Sequence, residues 1–171
     1  TMGISNTLRY RNLSLSFLID VRYGGVMYSG TVSDLRVNGM AEETIGKNRT
    51  DIVDKGVKQD GTENTTAITP YQFWSNNYSS KVSEANVFDA TFVKLREMVL
   101  SYQMPQRWFK NCFIGSLALG VEGRNLWLMK SNVPHIDPET NIFGPSAVGS
   151  GVEYSAIPTT RSWGFNIKLT F

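Results

Sequence analysis

One cysteine, one histidine and no long apolar run: these scarcities close off several classes of function. Cys112 cannot make a disulfide within the chain, so cysteine usage leaves the redox compartment open. No base near it in sequence would make it a nucleophile. His135 sits between Pro134 and Ile136 with no cysteine or second histidine at metal-ligand spacing, and it reads as a surface loop histidine. Gly24-Gly25 closes a strand and does not lead into a helix, so it is no phosphate cradle, and Glu42-Glu43 reads as solvated charge. No run of like charge occurs among the 17 basic and 15 acidic residues, which argues against nucleic acid. No stretch reaches the roughly 18 consecutive apolar residues of a membrane helix. Thr1-Met-Gly-Ile-Ser also lacks the charged start and apolar core of a signal peptide.

What the chain has is alternation. In Ser162 to Phe171, the residues Trp163, Phe165, Ile167, Leu169 and Phe171 alternate with Ser162, Gly164, Asn166, Lys168 and Thr170. A strand with this pattern has one apolar and one polar face. Leu13, Leu15, Phe17 and Ile19 repeat the pattern against Ser14, Ser16, Leu18 and Asp20, and Leu117, Leu119 and Val121 against Ala118, Gly120 and Glu122. In Thr91 to Tyr102 the apolar parity changes, from Val93 and Leu95 to Met98, Leu100 and Tyr102, which predicts a β-bulge near Arg96-Glu97. Ile4 to Tyr10 is expected to pair with the next strand through Arg11-Asn12. The expected strands span roughly 3–10, 13–28, 90–103, 114–128 and 159–171.

The connections alternate between short and long. Arg11-Asn12 and the stretch from Pro105 to Phe113 are short; the segments at roughly 29–88 and 129–158 are long. Outer-membrane β-barrels have short periplasmic turns and long external loops. Aromatic residues gather accordingly: Tyr10, Tyr102, Trp108, Phe109 and Phe171 towards the short turns, and Tyr23, Tyr28, Trp127 and Trp163 towards the long loops. A strand from Trp163 to Phe171, tilted by roughly 40°, spans about 20 Å of membrane normal, near the roughly 25 Å of a barrel's apolar band. The expected fold class is all-β, an antiparallel transmembrane β-barrel segment. The alternative is a soluble β-sandwich that binds carbohydrate or protein through its long loops.

Phe92-Val-Lys-Leu-Arg-Glu-Met-Val-Leu-Ser-Tyr-Gln-Met-Pro105, Gly123-Arg-Asn-Leu-Trp127, Asp137-Pro-Glu139 and Gly164-Phe-Asn-Ile-Lys-Leu-Thr-Phe171 occur in that order. Together they resemble the C-terminal end of the SusC/RagA family, TonB-dependent outer-membrane transporters of Bacteroidetes. Leu8 to Phe17 and Tyr23 to Ser29 are similar to the preceding strands of that family, and Leu35 to Tyr78 is the least similar part. The resemblance implies a piece of a larger barrel of about 22 strands, the preceding signal peptide and plug domain being absent here. It also implies a Gram-negative outer membrane, lipid and the rest of the barrel as surroundings, and import of glycans, oligosaccharides or peptides. The expected partners are a SusD-like surface lipoprotein and, through regions beyond this chain, the TonB complex.

Under the same resemblance, Ser162, Gly164, Ile167, Leu169 and Phe171 look like the targeting pattern of a closing strand. Tyr71, Phe73, Trp74 and Tyr78 are candidates for contact with ligand or lid, with loop packing as their other role. Asp137, Glu139 and Asn141 offer oxygen ligands but lack the spacing of a calcium loop, so no metal is assigned. No catalytic residue or cofactor is expected.

Overall fold

The computed structural model describes residues 1–46, 50–110, 113–144 and 151–171; Cys112 lies outside them. In chain order the elements are β1 (Met2–Tyr10), β2 (Leu13–Arg22), β3 (Val26–Ser29), α1 (Gly30–Val37), β4 (Ile52–Val53), β5 (Ala67–Ile68) and α2 (Pro70–Tyr78). There follow β6 (Val87–Asp89), β7 (Phe92–Gln103), β8 (Ser116–Ser131), β9 (Val152–Glu153) and β10 (Ser162–Thr170). The chain forms two compact units, one of Thr1–Gly24, Ala90–Asn132 and Thr159–Phe171, the other of Gly25–Asp89 and Val133–Pro158.

The first unit is one five-stranded sheet in the order β1-β2-β7-β8-β10, antiparallel throughout. Alternation along each strand becomes alternation between faces once register is fixed. Leu8, Leu15, Leu100, Val121 and Phe165 form one cross-strand row, and Tyr10, Leu13, Tyr102, Leu119 and Ile167 the next. The intervening row is Arg9, Ser14, Ser101, Gly120 and Asn166. Among the described residues of this unit no second layer covers the apolar rows. Phe165 is 85% exposed and Ile167 68%.

The bulge lies where the parity change predicts it. Leu95 pairs with Ile19 and Glu97 with Leu18, so Arg96 is an extra residue relative to β2. On the other side Leu95 pairs with Trp127 and Glu97 with Arg124, leaving Asn125 and Leu126 across from Arg96. The extra residue brings Met98, Leu100 and Tyr102 onto the face of Val93 and Leu95. Arg11 takes a left-handed conformation, φ 52°, in the β1–β2 turn. Asn12 Nδ2 then donates to the Gln103 carbonyl at 2.7 Å, anchoring that turn to β7.

The expected strand from 13 to 28 stops at Arg22. Gly24 and Gly25, at φ 75° and 84°, turn the backbone through a region that glycine enters at little cost, and β3 belongs to the second unit. Tyr28 therefore lies outside the five-stranded sheet; its residue pairs with Val87 of β6 and Val152 of β9.

The second unit has its own core. β6, β3 and β9 form a small mixed sheet, and β4 pairs with β5. Ser29 caps α1 by accepting from the Val32 amide at 3.1 Å. Thr69 and Gln72 close a capping box on α2, with Pro70 in its first turn. Met27, Val32, Ala41, Trp74 and Val133 are buried. Gly30 is dictated by contact, because a Cβ there would stand 2.0 Å from Cδ2 of Tyr154.

Candidate functional site

The functional feature of the sheet is the contrast between its faces, and the polar face is braced by a network at the bulge. Arg96 forms an ion pair with Asp20 and donates through Nη1 to Oδ1 of Asn125 at 3.1 Å. Asn125, left-handed at φ 51°, donates onward through Nδ2 to the Thr160 carbonyl at 3.0 Å. The chain of contacts thus runs from β2 through β7 and β8 to the residues just before β10. Each charged group has a partner, as a polar network in a partly desolvated wall requires. The Arg124–Glu97 pair, at 3.9 Å and well exposed, contributes little.

This geometry explains Gly123-Arg-Asn-Leu-Trp127. A Cβ at Gly123 would lie 2.6 Å from Leu126 and 3.0 Å from the Trp163 ring, so glycine leaves space for both. Asn125 serves the bulge, Leu126 is buried, and Trp127 pairs across from Leu95 on the apolar face.

Of the predicted closing-strand residues, Ser162, Gly164, Ile167 and Leu169 fall on β10, a strand with two faces, and Phe171 follows its end. Ser162 pairs with Arg124 and Gly164 with Glu122 in the polar rows, whereas Ile167 pairs with Leu119 and Leu169 with Leu117 in the apolar rows. At Gly164 a Cβ would stand 3.0 Å from Cγ and Oε1 of Glu122, so a larger residue would push that carboxylate aside. Phe171 stacks on Phe113 with ring centroids 5.6 Å apart and planes 9° from parallel.

The four aromatic candidates around α2 divide. Trp74 is 5% exposed, packed edge-on to Phe73 at 5.3 Å and tilted over Tyr78 at 4.8 Å. Tyr78 also receives the Arg36 guanidinium on its face at 5.0 Å, and Phe88 does so at 5.2 Å. Tyr71 is 65% exposed and, with Val37, Asn38 and Pro70, borders a shallow cleft. Of the four, Tyr71 offers a ring to solvent, while Phe73, Trp74 and Tyr78 pack against one another.

Glu43, read from sequence as solvated, is partnered, and so is Glu153, for which the sequence offered no reading. Glu43 accepts from Arg36 Nε at 2.6 Å, and its other oxygen lies 2.7 Å from His135 Nε2. Burial raises the Glu43 pKa, but hydrogen bonds from Arg36 and His135 outweigh it, and the value falls to about 2. Glu153, 1% exposed, accepts from the hydroxyls of Ser29 and Thr31 at 2.6 Å each. Apart from Arg36–Glu43, these contacts join residues more than 90 positions apart, and no local pattern signals them. Asp137 Oδ1 accepts from the Glu139 amide at 3.2 Å in a local turn. Among the described residues no three His, Cys, Asp or Glu side chains gather as a metal site.

A single-layer antiparallel sheet, apolar on one face and polar on the other, with its tight turns at one end, defines the wall of a transmembrane β-barrel. No family model matches the chain. It is 25% identical over 175 residues to TonB-dependent receptor P3 of Formosa agariphila, covering 100% of this chain and 16% of that protein. It is 26% identical over 172 residues to TonB-dependent receptor P26 of the same organism, covering 99% and 16%. The RagAB peptide importer in its open-open state superposes with a TM-score of 0.65 at 19% identity, over 99% of this chain and 17% of that one. A further structure of the RagAB peptide transporter gives 0.63 at 19% identity. The chain is similar along its whole length to TonB-dependent receptors, and its fold is that of a segment of an outer-membrane β-barrel such as the RagAB structures contain. It spans about one sixth of the length of those relatives.

Proposed function

We propose that this chain is the C-terminal part of the barrel of an outer-membrane active transporter that imports glycans, oligosaccharides or peptides. The observation that supports this most is the register: five strands place all their apolar rows on one side, along a sequence similar over its full length to TonB-dependent receptors. Named relatives and neighbours are receptors and importers, which favours transport over catalysis. Under this reading the segments at 29–88 and 129–158 face the exterior, and a plug domain and signal peptide precede the chain in the longer polypeptide. A SusD-like lipoprotein closes over the mouth, TonB supplies the energy, and Tyr71 is the member of the α2 aromatics placed to touch ligand or lid. Ser162, Gly164, Ile167, Leu169 and Phe171 then guide the closing strand into the membrane.

The test is deletion of the encoding gene followed by growth on single glycans or on peptides as sole nutrient. The expected result is loss of growth on one nutrient class, restored by the gene and not restored in a strain lacking TonB. Undiminished growth on all of them, or restoration without TonB, overturns the proposal.

A further inference from the structure

The short-turn half of the sheet carries charge of one sign. Residues 6–17, 98–121 and 165–171 contain no aspartate or glutamate, and their charged residues are Arg9, Arg11, Arg107, Lys110 and Lys168. Arg9 and Lys168 stand in polar rows, opposite Ser14 and Ala118. Arg11, Arg107 and Lys110 lie in the two tight connections and are exposed. Aromatic rings are interleaved with them: Tyr10 and Trp108 are exposed, and the Arg11 guanidinium lies 5.4 Å from the centre of the Tyr10 ring. The apolar face beside these turns is grooved. The groove holds about 520 Å³ and is bordered chiefly by Leu13, Leu100, Tyr102, Leu119, Phe165 and Ile167. That volume falls in the range of about 300–1,000 Å³ usual for small-molecule sites. Tyr10, Leu13 and Tyr102 form one cross-strand row, the last apolar row on β1, β2 and β7 before the Arg11-Asn12 turn, so the turn-side border of the groove adjoins Arg11.

We propose that this end of the wall is a site for one acidic phospholipid, with an acyl chain in the groove, its phosphate held by Arg11, and further positive charge supplied by Arg107 and Lys110. The proposal rests on the reading of the apolar face as the lipid side of a barrel wall. Each part of the occupant answers an observation. The groove is lined by hydrocarbon side chains, which a soluble anion would leave unfilled. A peptide would bring backbone amides to a hydrocarbon-facing groove that offers them few partners. A guanidinium meets a phosphate with two parallel N–H donors, and the Tyr10 ring restricts where that fork points. A zwitterionic headgroup also has a phosphate, but its ammonium would meet only cations in this half of the sheet. Selection therefore falls on a headgroup of net negative charge, such as phosphatidylglycerol, as it does where basic residues cluster beside a membrane.

The test is native mass spectrometry of the full-length protein, released from detergent after titration with phosphatidylglycerol or phosphatidylethanolamine of identical acyl chains. The expected result is about fivefold or more phosphatidylglycerol retained, and loss of that preference when Arg11→Gln, Arg107→Gln and Lys110→Gln are combined. Should the triple variant fail to assemble, Arg11→Gln by itself is expected to lower the preference about twofold or more. Lys168→Gln, on the polar face, is expected to leave it unchanged. Leu119→Trp, which fills the groove, is expected to lower phosphatidylglycerol retention about fivefold while the protein still inserts. Equal retention of the two lipids, a preference indifferent to Arg11, one lost as readily in Lys168→Gln, or undiminished binding in Leu119→Trp each overturn the proposal. Reconstitution into vesicles separates the site from the reading beneath it. A protein that inserts into neither lipid refutes barrel wall and site together, whereas one that inserts into both and shows no headgroup preference refutes the site alone.

Discussion

Glu153 is a buried carboxylate with no cation opposite it among the described residues, held by two hydroxyls and by the Ala156 amide at 3.2 Å. Ser29 is shared: its oxygen caps α1 and its proton goes to Glu153. Replacing Glu153 with alanine leaves those donors without an acceptor, at a cost of about 1–3 kcal/mol per buried group. The expected outcome of Glu153→Ala is loss of amide hydrogen-exchange protection in residues 27–37, with protection in β7 and β8 unchanged. Glu43 gives a second prediction at this scale. Its folded pKa of about 2 lies below the ordinary 4.5, so the carboxylate stabilises the fold above pH 4.5 and loses that contribution as pH falls towards 2. Hydrogen exchange around residues 36–44, followed from pH 5 to about pH 2, is expected to show this loss in the native chain and not in Glu43→Gln.

At the scale of elements, a strand that must face two solvents declares itself by period two, and that is why the sheet could be read from sequence. Leu13 to Ile19, Leu117 to Val121 and Trp163 to Leu169 each keep the alternation, and the slip at Arg96-Glu97 marked the bulge because an inserted residue inverts parity. The second unit was not legible in this way. α1 and α2 have only 8 and 9 residues, too short to show a persistent helical period, and their neighbours come from distant sequence, such as Glu153 beside Thr31 and His135 beside Glu43. Segments that looked like polar loops therefore fold around Trp74 and Val32. Of the candidate residues, the last strand was visible in its alternation; the division of Tyr71 from Phe73, Trp74 and Tyr78 depends on packing and was not.

A consequence of the two faces is a contrast between adjacent residues on β7. Met98 lies in the apolar row with Phe17 and Trp163's partner Gly123, and Val99 lies in the polar row with Ser16 and Glu122. Met98→Arg is expected to destabilise the barrel by about 2–4 kcal/mol, as for arginine near the bilayer midplane. Val99→Arg gains Glu122 opposite and is expected to be near neutral. Denaturant titration of the full-length protein folded in lipid vesicles distinguishes them.

For the whole molecule, the question is what wets each face. Apolar rows left this open would make a soluble particle aggregate, and edge strands β1 and β10, each bonded on one side, would add their unpaired backbone groups to the problem. Both difficulties vanish if hydrocarbon covers the apolar rows and neighbouring strands continue the sheet at both edges, since closure is the way a β-structure satisfies its backbone in lipid. The arrangement makes a residue-by-residue forecast for single cysteines placed in a Cys112→Ser background of the full-length protein in its membrane. Spin labels at positions 8, 15, 100, 121 and 165 are expected to be quenched by oxygen, which concentrates in lipid; labels at 9, 14, 101 and 166, one step along each strand, by a water-soluble nickel chelate. The chelate would reach the second set only where the lumen holds water, so plugging of the barrel would lower its effect there without transferring those labels to oxygen. Oxygen quenching of both sets alike, or of neither, would mean that the two rows share one environment, and a wall between lipid and water could not then be built from this register.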